Sequence, residues 1–369
     1  MIKKFAGCLV LITFCNGFSF SQEKKPDSGF SFGAGYTGDM FANFAGGIKT
    51  GTTYLGMATI NAGFDTGNAG WWKGGEAFVK LANTHGGEPS ANLVGDFQGV
   101  SNIEAGNLTW LYELWYKQSI GSFSFIAGLQ DLNVNFATSE NGAVFTNSSF
   151  GVHSSIADNV TSPIFPLTAL GVNLQWQIKS DMMWQIAVFD GTPDDFENNP
   201  YNLNWKLNKT DGYLAVSEFQ LAKSLLKSKT GMYKLGLYYH KHIDDGIVDR
   251  NYGMYFVGDQ QLTDKLSAFS QIGLSPQTMN LHHHYYSLGI NFHKPFEKRE
   301  SDVLGLAVAY AGIDGNGLGG ETAIEMTYKF QVCENLYIRP DLQYVINPAG
   351  TETKLPNALV GFIRFGAEF

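Results

Sequence analysis

The sequence predicts an all-β protein, a transmembrane antiparallel β-barrel of about 16 strands with a long loop folded into its lumen. Three observations carry that expectation. Aromatic residues make up 14 % of the 369 positions, charged residues only 16 % and glycines number 43, at a mean hydropathy of −0.11. This composition excludes a bundle of apolar membrane helices and a long disordered chain, and it departs from that of ordinary soluble enzymes. An export signal opens the chain, yet no later stretch offers the ~18 to 20 continuous apolar residues that a spanning helix needs. Apolar and polar residues instead alternate with a period of two, in segments near the ~9 to 11 residues of a tilted membrane strand.

At the N-terminus, Lys3 and Lys4 precede an apolar stretch from Phe5 to Phe14, and Ser19-Phe20-Ser21 offers a small-x-small cleavage site before Gln22. Residues 1–21 therefore read as a signal peptide and 22–369 as an outer-membrane β-barrel of a Gram-negative bacterium. Lipoprotein processing is the rival reading, but Phe14 is too large for the position before Cys15, and Cys8 has no apolar region before it. The mature chain would keep only Cys333, so no internal disulfide is expected. Removing Lys3 and Lys4 and no acid takes the net charge from −9 to −11, which argues against a nucleic-acid partner.

The alternation places strands at 30–44, 51–65, 74–86, 107–118, 121–131, 168–178, 182–191 and 211–222, then at 231–242, 250–260, 264–274, 283–294, 301–312, 320–331, 335–346 and 355–369. An even number lets both ends lie on one side of the membrane. In the last strand Leu359, Ile363, Phe365, Ala367 and Phe369 share the lipid phase, against Arg364, Gly366 and Glu368. A terminal aromatic resembles the signal by which the barrel-assembly machinery recognises its clients, so that machinery is an expected partner through Phe369. One strand earlier, Leu336, Ile338, Leu342, Tyr344 and Ile346 oppose Tyr337, Arg339, Asp341, Gln343 and Asn347, while Pro340 forfeits one ladder bond.

The connections sort by parity. Joints after even strands, at 118–121, 179–181 and 332–335, are tight, whereas those after odd strands, at 87–106, 132–167 and 192–210, are long. Periplasmic ends require this order; a secreted sandwich or propeller does not. The joints at 223–230 and 295–300 are moderate exceptions.

Sixteen strands leave a lumen wide enough for an aqueous channel. The connection 132–167 is too long for a simple hairpin and is expected to fold inward and narrow the pore, with Asn133, Asn135, Glu140, Asn141, Asn147, Ser148 and Ser149 offering hydrogen bonds to a sugar or to the wall. Inward-phase residues near mid-strand are Lys80, Glu113, Glu218, Glu325, Arg339 and Asp341, with Gln343 and Arg364 toward the two ends. Mixed charges and amides suit hydroxylated neutral solutes, since carboxylates and amides accept from hydroxyls while arginine donates. Equally, such charges pair across strands and merely order the wall.

With Leu108, Trp110, Tyr112, Leu114 and Tyr116 in the lipid phase, Trp115 would stand inside beside Glu113 and Lys117, either stacking on a pyranose or packing under the loop. Trp71, Trp72, Trp110, Trp176, Trp184 and Trp205 read as interfacial girdle or loop residues. His282-His283-His284 falls at a predicted outer loop, and adjacent histidines on a strand diverge, so no metal site is assigned. The acids Asp190, Asp194, Asp195 and Glu197 lack a calcium-loop spacing and suit solvation or divalent-bridged lipopolysaccharide. The glycines of 312–317 join two strands as a hairpin. No nucleophile motif is present, and His153 beside Ser154 and Ser155 is a poor catalytic neighbourhood, so neither enzymatic activity nor a cofactor is assigned; an outer-membrane hydrolase is the remote alternative.

Beyond periodicity, several segments resemble the carbohydrate-selective porin family of the OprB type: Tyr36-Thr37-Gly38-Asp39, Trp72-Lys73-Gly74-Gly75-Glu76, Gly128 to Gly151, Ala169-Leu170-Gly171-Val172 and, most specifically, Arg339 to Gly350. The resemblance spans nearly the whole mature sequence. It implies a sixteen-stranded outer-membrane channel for passive diffusion of glucose and related small sugars, with inward loops and polar or charged residues at the constriction. By position it implies lumen-lining roles for Arg339, Asp341 and Gln343, and constriction-loop roles for Asn133, Glu140, Asn147 and Ser149. The acidic balance and few lumenal arginines depart from the family's pattern, which keeps a general diffusion porin as the alternative. A homotrimer and a monomer fit the apolar exterior equally.

Overall fold

The computed structural model describes residues 29–226, 229–244, 246–314 and 319–369. Sixteen antiparallel strands close into one barrel. They are β1 Phe30–Ala45, β2 Gly51–Asp65, β3 Gly75–Gly86, β4 Leu108–Ile120, β5 Phe123–Gln130, β6 Ala169–Lys179, β7 Met182–Asp190 and β8 Tyr213–Ala222. The second half holds β9 Gly231–Asp244, β10 Ile247–Gln261, β11 Leu266–Leu274, β12 His282–His293, β13 Val303–Ile313, β14 Glu321–Cys333, β15 Leu336–Ile346 and β16 Ala358–Glu368. Each strand pairs with its sequence neighbours, and β1 pairs with β16 to remove the last edge, in a register that sets Asp39 opposite Arg364. The proposed signal peptide lies outside the described residues.

The period-two reading holds because each strand meets two solvents. In β16, Ile363 points out and is exposed while Phe362 and Arg364 on either side are buried. In β15, Ile338, Leu342 and Tyr344 point out between the buried Arg339, Asp341 and Gln343.

The register slips near the ends of β1, β6, β12 and β14, but in β4 it slips in mid-strand. Lys80 pairs with Glu113 but Leu81 pairs with Leu111, so Tyr112 is an extra residue and the phase of β4 flips there. Leu114 and Tyr116 keep the lipid side, but Trp110 and Tyr112 do not: both are buried and pack with Ala82, Leu108, Phe165 and Phe196. The expectation of lipid contact for Leu108, Trp110 and Tyr112 is thereby corrected. His282 also departs from its expected loop: it opens β12, buried, with its ring nitrogens on the Ser154 hydroxyl and the Gly312 carbonyl. Gly312 and Ile313 end β13, and residues 315–317 of that glycine run fall outside the described residues.

The parity of the joints is looser than predicted. The joint after β9 spans only 245–246, and that after β2 spans 66–74. The three longest connections, 87–107, 131–168 and 191–212, do follow odd strands. Two of them lie against the inner wall, where one apolar cluster joins Leu93, Val94, Val100 and Ile103 to Phe41, Leu55, Val345, Val360 and Phe362, and another joins Phe145 and Phe150 to Phe269 and Tyr285.

Candidate functional site

The connection 131–168 is held by side chains of the inward phase. Glu218 on β8 accepts from the Ala137 N–H at 2.8 Å. Asp259 on β10 accepts from the Ser139 hydroxyl at 2.7 Å and from the Asn141 N–H at 3.1 Å. Glu325 on β14 accepts from the Thr146 and Asn147 N–H groups at 2.7 and 2.9 Å. Gln343 on β15 takes the Asn147 amide at 3.2 Å, and the Tyr285 hydroxyl donates to the Ser149 carbonyl at 2.7 Å. Each carboxylate satisfies main-chain donors that a loop buried in a barrel would otherwise leave orphaned, so charge and loop stabilise each other.

The same device holds 87–107, a segment for which the sequence reading assigned no inward role. Glu321 on β14 accepts from the N–H groups of Phe97 at 2.7 Å, Gln98 at 3.0 Å and Ala349 at 2.9 Å. Farther along, the Ser101 hydroxyl donates to Asp39 at 2.7 Å, and Arg364 donates to the Asn102 side chain at 2.7 Å. Two loop acids here are shifted. Burial pushes Asp96 up to about 6, and burial with the nearby Asp96 charge pushes Glu104 up to about 7 although the Ser90 N–H opposes it. A third loop group, His153, is driven down to about 3 by burial and by His282, so its imidazole is neutral; it contacts the Ser155 hydroxyl at 2.7 Å and is fully buried, away from any solute.

Two cavities border the inward loops. The first, about 560 Å³, runs between the two loops and is lined by Gln98, Asn102, Asn133, Ser149, Asp158 and Phe165 among others. The second, about 370 Å³, lies between loops and wall, where Lys80, Tyr112, Tyr337, Arg339, Arg364 and Glu368 converge with Asn102, Ile103 and Phe165. Asn102 and Phe165 line both, so the cavities adjoin at these two residues. Arg364 is answered by a two-pronged pair with Asp39 at 2.7 and 2.8 Å. Lys80 has its ammonium 5.0 Å from the centre of the Tyr112 ring and pairs in register with Glu113.

The expected pore-lining residues thus divide. Lys80, Arg339 and Arg364 line the second cavity. Glu113 is buried beside it and accepts from the Trp115 indole at 3.2 Å, while the Trp115 ring stacks on Phe78 with centroids 5.0 Å apart. Glu218, Glu325, Asp341 and Gln343 lie under the inward loop and line neither of these cavities. Of the loop residues, Asn133 and Ser149 line the first cavity, Asn147 is buried against Gln343, and Glu140 is exposed. Asn102 and Phe165 have no mark in the sequence, Asp39 stands there only within a family-like segment, and Tyr112 falls in the apparent lipid phase. A signal for Asp39 existed in the alternation of β1; Tyr112 was hidden by the bulge.

Three comparisons with known proteins bear on this geometry. The profile of the carbohydrate-selective porin, OprB family, matches residues 49–369. Porin B of Pseudomonas aeruginosa is 23 % identical over 93 % of this chain and 88 % of its own length. The high-pH structure of Pseudomonas putida OprB superposes with a TM-score of 0.82 at 21 % identity, covering 93 % of this chain and 94 % of that one. The outer-membrane channel DcaP of Acinetobacter baumannii shares the fold more distantly, with a TM-score of 0.58 at 7 % identity over 92 % and 97 % of the two chains.

Proposed function

The chain belongs to the carbohydrate-selective porin, OprB family, outer-membrane channels for the passive diffusion of sugars in Gram-negative bacteria, and from that premise we propose that a monosaccharide crosses where the two cavities meet. The observation that carries this reading is the pairing, at one narrow place, of donors with ring faces. Asn102, Lys80, Arg339 and Arg364 offer hydrogen bonds to hydroxyl groups, while Phe165, Tyr112 and Tyr337 present apolar surface to the C–H face of a pyranose. Diffusion needs contacts strong enough to admit a sugar and weak enough to release it, which dispersed single bonds supply. In this reading the loops 87–107 and 131–168 set the aperture together, and no residue acts as a nucleophile.

Residues 1–21 serve as the export signal, on the strength of their charged start and apolar run. The assembly machinery engages the last strand through Phe369, which is exposed at its end. Contact with lipopolysaccharide and assembly into a trimer complete the proposed partners.

Liposome swelling with the refolded mature chain tests the channel. Glucose should enter faster than an amino acid of similar size and faster than a disaccharide. Equal rates for glucose and the amino acid would leave a general diffusion pore, and no swelling from a heat-modifiable, folded barrel would remove the channel reading.

A further inference from the structure

We propose that this path admits acidic monosaccharides, aldonates or uronates, by docking their carboxylate on Arg339. The proposal deepens the sugar-channel reading and rests on it. Its first support is how the wall charges are spent. Glu218, Asp259, Glu321 and Glu325 are bound to loop N–H groups and hydroxyls, so these four acids of the inner wall are turned toward the loops and away from the solute. What faces the second cavity is Lys80, Arg339 and Arg364, against Glu368.

Arg339 itself is the second support. It stands directly opposite Arg364 in the β15–β16 ladder, an arrangement of like charges that repels. Asp39 neutralises Arg364, whereas Arg339 makes no ion pair among the described residues and its Nε has no hydrogen-bond partner, although the residue is only 7 % exposed. Its guanidinium lies 5.3 Å from the Tyr337 ring centre, and the Lys329 ammonium lies 5.0 Å from the same ring, adding positive field. Asp341, two residues along the same face, directs Oδ1 to the Gln343 amide at 3.2 Å; its Oδ2 is buried without a hydrogen-bond partner, and it forms no ion pair with Arg339. A buried fork with no ion-pair partner, next to an aromatic ring, is built for a planar carboxylate, and the neighbouring Asn102 and Lys80 reach the hydroxyls of the sugar acid that carries it.

Flux of D-glucuronate, D-gluconate, glucose, acetate and inorganic phosphate through the refolded chain in liposomes tests the assignment, with heat-modifiable mobility reporting the fold of every variant. Glucuronate should permeate at least as fast as glucose, and its flux relative to glucose should fall about tenfold in Arg339→Gln, as expected for one charge-assisted contact. Arg339→Lys, which keeps the charge and loses the fork, should fall between the two. A glucuronate-to-glucose ratio below about one-tenth in the native chain, or one that Arg339→Gln leaves unchanged, overturns the proposal. So does acetate or phosphate flux that equals glucuronate flux and depends equally on Arg339, because the site would then filter anions without regard to the sugar. Failure of the sugar reading registers separately, as glucose entering no faster than a size-matched amino acid.

Discussion

Replacing Glu325 with alanine strips the loop 131–168 of one of its firmest holds. Glu325 is fully buried and accepts from the Thr146 N–H at 2.7 Å, the Thr146 hydroxyl at 3.0 Å and the Asn147 N–H at 2.9 Å. Alanine leaves two main-chain donors without an acceptor inside the barrel, and each unsatisfied donor costs about 1–3 kcal/mol. Water entering the vacated space brings the total toward the lower end, roughly 2 kcal/mol, which is about 30-fold in an opening equilibrium. The loss is local, because Glu218 and Asp259 still grip the earlier part of the loop and the β14–β15 ladder does not use the carboxylate. Hydrogen exchange read by mass spectrometry on peptides spanning 142–150 reports the opening directly. Protection of the Thr146 and Asn147 amides should fall about 30-fold while that of β14 and β15 holds; Glu325→Gln, which keeps one acceptor, should fall less. A loss under about threefold at those amides, or an equal loss over the whole barrel, would refute the claim that this carboxylate holds the loop.

The loop 87–107 should respond to pH. Its Asp96 and Glu104 hold protons up to about 6 and about 7 when docked, well above a free carboxyl, so docking is favoured in acid and weakens as the pH rises from about 4 to about 7. Exchange protection of the Phe97 and Gln98 amides, corrected for intrinsic rates, should therefore be higher near about pH 5 than near about pH 8, and Asp96→Asn should shrink the difference. Asp39→Asn breaks the buried pair with Arg364, which should cost roughly 3–5 kcal/mol in denaturant titrations and, by leaving that guanidinium unanswered, raise chloride permeability over potassium in a salt-gradient reversal potential.

The barrel was legible because lipid and water read opposite phases of every strand, and the strand bounds drawn from alternation differ from the observed ones by few residues, as at 51–65 for β2 and 335–346 against Leu336–Ile346 for β15. The bulge at Tyr112 was not legible: an inserted residue leaves an apolar run looking like an unbroken lipid face, and only its partner strand reveals the slip. Nor could the sequence divide the inward charges. Arg339 and Glu325 carry the same alternation, but the partner of Glu325 is a pair of main-chain N–H groups, which every residue except proline possesses and no sequence pattern marks. The inward loop 87–107 escaped for the same reason, its hold being the backbone of Phe97 and Gln98 on Glu321.

That the wall grips these loops by main-chain donors has a consequence for how such a channel can diversify. Ala137, Thr146, Asn147, Phe97 and Gln98 all offer their N–H groups, so many side-chain replacements at these positions leave the grip in place. Residues that line the space between the loops, such as Asn133 and Thr161, can then change to suit a different solute, while the wall carboxylates keep the moulding that bears them in register.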